Sequence, residues 1–457
     1  MLSAFRNSFK IPELRTRILF AFALIIAERL VANIPTPGIM ADALEQLVKS
    51  ATAQPEPGAG SLFGMADLFS GGALRKCSVG ALTIWPYISA SIVLQLLTAV
   101  VPALERLARE GDVGRQKITQ YSRYLTLGIC ILQSFAVAKT IENPRMLFQG
   151  AAADISLISP EMSVWGFRLL TMLSMTTGTM VIMWMGEQIT QRGIGNGISL
   201  IITVNIVSRL PQAVLGLWDM FRGTGGGFNV FHLVSLFATL FIVTAATVAV
   251  TQSQRKVPIT TTKKVVGRKV YGGQNTFMPL RMNYANVMPL IFASSLLMFP
   301  PLLLGRIDVQ WCKDLAQMLY RESWLYMLMY GTLIMFFSYF WVATQFNPVQ
   351  IADDLKKHGG YVPGIRPGRP TAEFLDKTMS RLTLAGAIFL TAIAIIPSLL
   401  NRLFKIPYEV SQFFGGTSLL IVVGVMLDTM RQVESHLLMR HYDGFLRKGR
   451  LRGSGRR

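Results

Sequence analysis

The side chains of this chain that could do chemistry are mostly hydroxyls and amides set inside apolar runs: Thr83, Ser89, Ser91, Gln95, Thr126, Gln133, Asn205, Ser294 and Ser295. Such groups form hydrogen bonds but offer no activated nucleophile. Inside apolar helices they tie one helix to another, or they line a seam that water or a polar chain touches. The titratable groups Glu28, Arg29, Glu187 and Asp428 lie toward the ends of the runs, whereas proton pumps and ion-coupled carriers keep such groups deep in theirs. No His-Glu-x-x-His or Ser-His-Asp pattern is apparent, and the glycines of "GIGNG" (193–197) lack the Lys-Ser/Thr of a phosphate loop. Cys77, Cys130 and Cys312 fit neither a metal spacing nor a disulfide framework; Cys77 and Cys130 read as small apolar fillers. No catalytic residue, metal ligand or cofactor is expected. An enzyme working within the bilayer would need a catalytic pair at depth, and none is evident. A channel and a secondary transporter both remain open at this point.

The elements that must hold these groups are membrane helices. The chain has 457 residues, 51% of them hydrophobic and only 15% charged, against roughly 25% charged in soluble domains. Apolar stretches of span length recur near 18–34, 79–101, 120–138, 164–185, 198–217, 230–250, 285–304, 323–343, 379–399 and 413–430. About 20 apolar residues at 1.5 Å each cross a hydrocarbon core of about 30 Å, so the expected fold is all-α with about ten transmembrane helices. The "RTRILFAFALIIAERL" stretch reads as a retained first helix rather than a signal peptide. Leu2, Phe5 and Phe9 are spaced as on a short interfacial helix.

Net charge is +20, and its placement orients the chain. With the N-terminus in the cytoplasm, cytoplasmic segments hold Arg6, Lys10, Arg15 and Arg17; Arg106, Arg109, Arg115 and Lys117; a dense cluster over 255–269; Lys356, Lys357, Arg366 and Arg369; and a basic tail. The opposite loops hold few cations. This bias puts both termini inside.

Five spans per half is odd, so related halves must be inverted. Ile84-Trp85-Pro86-Tyr87-Ile88-Ser89-Ala90-Ser91 resembles Val287-Met288-Pro289-Leu290-Ile291-Phe292-Ala293-Ser294 without gaps. Gly195-Asn196-Gly197-Ile198-Ser199-Leu200-Ile201-Ile202 resembles Gly415-Gly416-Thr417-Ser418-Leu419-Leu420-Ile421, which puts Ile202 opposite Ile421. Inverted repeats often carry a substrate path at the midplane. Ile88, Ile202, Ile291 and Ile421 each lie several residues into their spans. They either meet near one level or face lipid and neighbouring helices.

Several stretches together resemble the SecY family, the central subunit of the bacterial protein-conducting channel. They are "LFSGGAL" with "PYISASI", "GEQITQRGIGNGISLI", "GRKVYGGQNTFMPLRMN" with "PLIFASSLLMFP", "FFSYFWVATQFNP", "LKKHGGYVPGIRPG" with "RLTLAGA", and "FFGGTSLLIVV". The resemblance runs almost end to end; "ATAQPEPGAG" (51–60) departs from it and reads as a flexible insertion. It implies two inverted five-helix halves around a central pore with a short re-entrant plug helix. A cytoplasmic segment 1–17 precedes a first half 18–217 that includes the plug 61–72. A second half 218–433 includes cytoplasmic loops 251–283 and 345–377, and a basic tail 434–457 follows. The implied function is passage of unfolded secretory polypeptides across the plasma membrane and lateral release of membrane segments into the bilayer.

Residue by residue, the resemblance carries a pore ring onto Ile84, Ile88, Ile202, Ile291 and Ile421. A collar of branched aliphatic side chains closes, dewets and resists ions without selecting one passing sequence. The plug falls on Leu62, Phe63, Met65, Leu68 and Phe69, with Gly71 and Gly72 as its hinge. Ser89, Ser91, Gln95, Ser294, Ser295 and Phe299 become candidates for a lateral gate. The 251–283 loop alternates β-branched residues with cations and contains Gly-Gly, which suits a projecting hairpin. In "YVPGIRPGRP" the prolines and glycines forbid a long helix. Arg255, Lys256, Lys263, Lys264 and Arg268, with Arg366, are the expected docking cations for the motor ATPase SecA and for ribosomal RNA phosphate. SecE-like and SecG-like small membrane subunits, signal-sequence-bearing polypeptides and membrane lipid complete the implied partners, at the bacterial inner membrane.

Overall fold

Apolar runs of span length fold as helices because a backbone in lipid must satisfy its own hydrogen bonds. The computed structural model describes residues 11–40, 43, 70–142, 157–160, 162–222, 230–261, 264–266, 269–271, 275–285, 287–304, 309–319, 323–404, 410, 413 and 416–450. Over these residues the chain is a mostly helical, multi-pass membrane protein. A helix occupies the greater part of every span read from the sequence. Six helices are long and apolar enough to cross a bilayer by length and composition, and a bent pair makes a seventh. Residues 1–10, the insertion at 51–60 and the plug side chains Leu62, Phe63, Met65, Leu68 and Phe69 lie outside the described residues.

The contacts divide the chain into two compact units, Met1–Trp218 with Val425–Arg457, and Asp219–Gly424. The first unit holds α1 (Pro12–Val31), α2 (Trp85–Val100), α3 (Pro102–Arg109), α4 (Asp112–Glu142), α5 (Val164–Arg192) and α6 (Gly197–Val207), with α7 (Leu210–Arg222) running to its boundary. Between α2 and α3 the axis turns through 103° at Val101, where Pro102 disfavours helical backbone in the residue before it. Ion pairs pin α4 to α5 near both ends: Arg123 grips Glu187 at 3.0 and 2.6 Å, and Arg168 grips Glu142 at 2.5 and 2.7 Å. Near its C-terminal end the chain returns to this unit. Val433 packs with Leu14 and Ile194, and Gln432 Oε1 accepts the Gly195 N–H at 3.0 Å.

The second unit contains α8 (Val230–Gln252), strands β1 (Gln254–Thr261), β2 (Lys264–Val266), β3 (Lys269–Tyr271) and β4 (Asn275–Arg281), then α9 (Met288–Leu304), α10 (Gln310–Met318), α11 (Trp324–Gln345), α12 (Pro348–Lys357), β5 (Gly360–Tyr361) and α13 (Arg369–Phe404); α14 (Thr417–Arg450) starts here. The expected hairpin exists: β1 pairs antiparallel with β4 from Gln254 opposite Arg281 to Thr260 opposite Asn275, and β2 pairs with β3. A strand not foreseen from the sequence, β5, joins the other edge of β1 through Thr260–Tyr361 and Thr261–Gly360. An apolar cluster of Val257, Leu280, Val342, Phe346, Val362, Leu375 and Met379 packs strand residues against the ends of α11 and α13.

Candidate functional site

The ring candidates lie at four helix starts, α2 and α6 in the first unit and α9 and α14 in the second. In the first unit the chain reaches α2 through irregular backbone, with positive φ at Cys77 (43°) and Thr83 (49°). Non-helical backbone at membrane depth survives only inside protein. Here the Val79 N–H donates to the Ile34 carbonyl at 2.9 Å and the Thr36 N–H to the Cys77 carbonyl at 3.1 Å. Gly178 of α5 lies against this segment, since a Cβ there would stand 2.3 Å from the Val79 carbonyl oxygen. The sequence places Pro86 in mid-span, but the helix begins at Trp85, so Pro86 is its second residue. That position has no helical partner for the missing N–H, so proline costs nothing there.

The same start recurs in the second unit. α9 begins at Met288 with Pro289 second. The first helical hydrogen bond runs from the Ile88 N–H to the Ile84 carbonyl at 3.0 Å in one unit and from the Ile291 N–H to the Val287 carbonyl at 3.3 Å in the other. Three residues on, the Ser91 hydroxyl donates to the Ile88 carbonyl at 2.8 Å and the Ser294 hydroxyl to the Ile291 carbonyl at 2.9 Å. The repeat read from residue types is thus also a repeat of local hydrogen bonding.

α6 and α14 supply the other pair of starts. Asn196 caps α6, its Oδ1 accepting from Ile198 and Ser199 N–H at 3.1 and 3.3 Å. Gly195 adopts φ +86°, which favours glycine, and Gly197 donates to Thr190 Oγ1 at 2.8 Å. In α14 the Gly416 carbonyl accepts from the Leu420 N–H at 3.2 Å.

Within their own surroundings all five ring candidates are buried. Ile84 and Ile421 are 1% exposed, Ile291 is 3%, and Ile88 and Ile202 are 7%. None projects from the helix surface as Leu169 and Leu173 do, at 62% and 69%. Ile206, one turn beyond Ile202 on α6, is fully buried; no repeat partner marked it in the sequence.

The four gate serines bond within their own helices. Ser89 donates to the Trp85 carbonyl at 3.1 Å and Ser295 to the Ile291 carbonyl at 2.7 Å. With Ser91 and Ser294, all four hydroxyls donate to carbonyls of their own helices. Ser294 and Ser295 are 4% exposed, Gln95 is exposed, and the side chain of Phe299 lies outside the described residues. Of the hinge, Gly71 and Gly72 take φ of +61° and +92°.

Of the docking cations, Arg255 and Lys256 are exposed on β1. Lys263 and Arg268, and the side chain of Lys264, lie outside the described residues. Arg366 is exposed in a loop with positive φ at Gly359, Gly364 and Gly368. Its carbonyl accepts the Thr371 hydroxyl at 2.8 Å, and its neighbour Ile365 packs on the apolar cluster beneath the sheet. Among the described residues its guanidinium makes no ion pair, so the charge points outward from a fixed backbone.

Sequence reading missed one polar constellation. Glu28 and Arg29 do lie in the last turn of α1, but Glu28 is fully buried and Arg29 links it to Asn205 and Ser208. A charged pair following the apolar run 18–27 was the available signal; its partners, more than 170 positions away, were not legible.

A family model described as SecY matches residues 78–430. The "Protein translocase subunit SecY" of Chlamydia trachomatis serovar D (strain ATCC VR-885 / DSM 19411 / UW-3/Cx) is 42% identical over 464 residues, covering 99% of this chain and all of that protein. A solved structure described as "The structure of a protein conducting channel" superposes with a TM-score of 0.62 at 16% identity, over 92% of this chain and 91% of that one. "Sec61 in the Canine ribosome-channel complex from the endoplasmic reticulum" superposes with a TM-score of 0.59 at 15% identity, over the same shares.

Proposed function

The chain belongs to the SecY family, and from that premise we propose that it is a protein-conducting channel subunit. It passes unfolded secretory polypeptides across the bacterial inner membrane and releases membrane segments sideways into lipid. Ile84, Ile88, Ile202, Ile291 and Ile421 form its collar, 61–72 its plug with Gly71 and Gly72 as hinge, and Ser89, Ser91, Gln95, Ser294, Ser295 and Phe299 its lateral gate. The observation that carries this reading is the burial of all five isoleucines, together with two hydrogen bonds that recur at the starts of α2 and α9. Branched side chains stiff at χ1, buried at or near helix starts, suit a seal that yields to a chain without binding it.

Energy is supplied by partners. Arg255, Lys256, Lys263, Lys264, Arg268 and Arg366 dock the motor ATPase SecA and ribosomal RNA, and SecE-like and SecG-like subunits accompany the chain in the membrane. Both termini are cytoplasmic, as the placement of cations favours. The five-helix halves are 18–217 and 218–433, with the basic tail at 434–457.

Disulfide trapping tests the path. In a variant lacking Cys77, Cys130 and Cys312, a cysteine replaces Ile202 and a stalled secretory chain carries one cysteine. A strong adduct is expected at 202 and none when the cysteine replaces lipid-facing Leu173. Equal adducts at both positions overturn the reading.

A further inference from the structure

The last turn of α1 ends in adjacent opposite charges. Arg29 clamps Glu28 through Nε and Nη2, each at 2.8 Å, which gives a buried carboxylate the fork that its burial requires. A guanidinium has five donors, and this one spends others on α6. It donates to Asn205 Oδ1 and, through Nη1, to Ser208 Oγ at 3.0 Å. The Ser208 hydroxyl lies 2.7 Å from the Asn205 carbonyl oxygen and 3.4 Å from that of Gly71.

Gly71 rests directly on this network. A Cβ at Gly71 would stand 2.5 Å from Arg29 Nη1, 2.7 Å from Ser208 Oγ and 3.0 Å from the Asn205 carbonyl oxygen. Gly72 lies over Arg209, where a Cβ would stand 3.1 Å from the guanidinium carbon. A second tether runs from Lys76 to Asn33 Oδ1 at 2.5 Å, and Asn33 Nδ2 donates to the Arg29 carbonyl at 2.7 Å. Pairing Arg29 with Glu28 alone would satisfy the carboxylate; the additional bonds reach a turn where two successive residues, Gly71 and Gly72, take positive φ.

We propose that Arg29, Asn205 and Ser208 are positioning residues that clasp the Gly71 turn and set the resting position of the hinge. The inference rests on the reading of 61–72 as a plug. Losing the Asn205 and Ser208 contacts removes two charge-assisted hydrogen bonds from Arg29 and the ordinary one that Ser208 donates, enough for about a tenfold change in hinge occupancy.

The test measures resting ion conductance per channel in planar bilayers fused with membrane vesicles carrying the full chain. Asn205→Leu and Ser208→Ala should each raise conductance, and together about tenfold. Asn205→Asp, which keeps an acceptor for Arg29, should stay at the wild-type level while Asn205→Leu, of similar size but without an acceptor, does not, a split that a purely steric role would not give. Deleting 61–69 supplies the reference: it should raise conductance, and Asn205→Leu should add nothing in that background. A deletion that raises conductance, with Asn205→Leu and Ser208→Ala at the wild-type level, overturns the clasp alone. A deletion without effect overturns the plug reading and removes the premise. Ser208→Ala, which deletes a single oxygen, keeps the clasp testable if Asn205→Leu does not accumulate in the membrane.

Discussion

Replacing Ile421 by asparagine puts the collar under the most direct load. Ile421 is 1% exposed, so almost the whole side chain contributes to whichever state buries it. Burying a side chain of this size stabilises by about 1.5–3 kcal/mol. An amide left there without a partner costs about 1–3 kcal/mol more. If the closed collar buries the residue and the open channel wets it, the two effects add against the closed state. About 2.8 kcal/mol of that sum is a hundredfold shift in the closed–open ratio. Ile421→Val removes one methylene, about 0.5–1.5 kcal/mol, and should shift the ratio by about tenfold or less. Two assays read this: conductance per channel, and export of a secretory reporter whose signal sequence carries a charge in its apolar core. Asparagine should raise both; valine should leave reporter export near the background. Ile26→Asn, at a position 49% exposed on α1, controls for a polar group in the membrane as such. The reasoning fails if Ile421→Asn accumulates normally and conducts no more than Ile421→Val.

Two further outcomes follow from the geometry. Arg366→Glu should abolish motor-driven export while leaving membrane accumulation intact, because the loop backbone is held by Thr371 and Ile365 rather than by the guanidinium; normal export in an in vitro translocation assay would defeat the docking assignment. Asn196→Ala removes the acceptor for two backbone N–H groups at the start of α6 and should cost about 1 kcal/mol, read as a few degrees lower thermal unfolding in detergent, with Asn196→Ser retaining most of the stability.

Spans were legible because the bilayer imposes one length and one secondary structure on any apolar run. Starts and stops inside those runs were less so. Pro86 looked like a mid-span interruption, yet its lack of an N–H made it the second residue of α2, and irregular backbone fills the span before it. The hairpin over 254–281 was readable from alternation and Gly-Gly. Its third strand was not, because two residues at 360–361 carry no strand period and pair with a partner about a hundred positions away. The internal repeat was readable at Pro86 and Pro289, where backbone chemistry fixes the residue type. Ile206 had no such mark, since isoleucine in an apolar helix is ordinary wherever it points. Glu28, Arg29 and Asn205 each stood out singly, but only the folded chain brings a carboxylate, a guanidinium and an amide from two helices under one glycine turn.

Hydroxyls within the spans commonly donate to carbonyls of their own helices, and some polar side chains also reach a neighbouring helix. Ser134 meets Thr176 across α4 and α5 at 3.3 Å, in the helix pair that ion pairs pin near both ends; Arg29 likewise ties α1 to α6. The hydroxyls of Ser89 and Ser91 on α2, and of Ser294 and Ser295 on α9, donate to carbonyls of their own helices, as Ser134 does to Ile131. A hydroxyl has one proton, so these four have no donor left for a neighbour. Interhelical hydrogen bonds average about 0.6 kcal/mol in membranes, and self-bonded hydroxyls can enter one only as acceptors. They also keep lone pairs that water or a passing amide can meet when the face is uncovered. For the proposed lateral gate, the consequence is that opening would break no hydrogen bond donated by these four serines and would leave none of their donors unsatisfied.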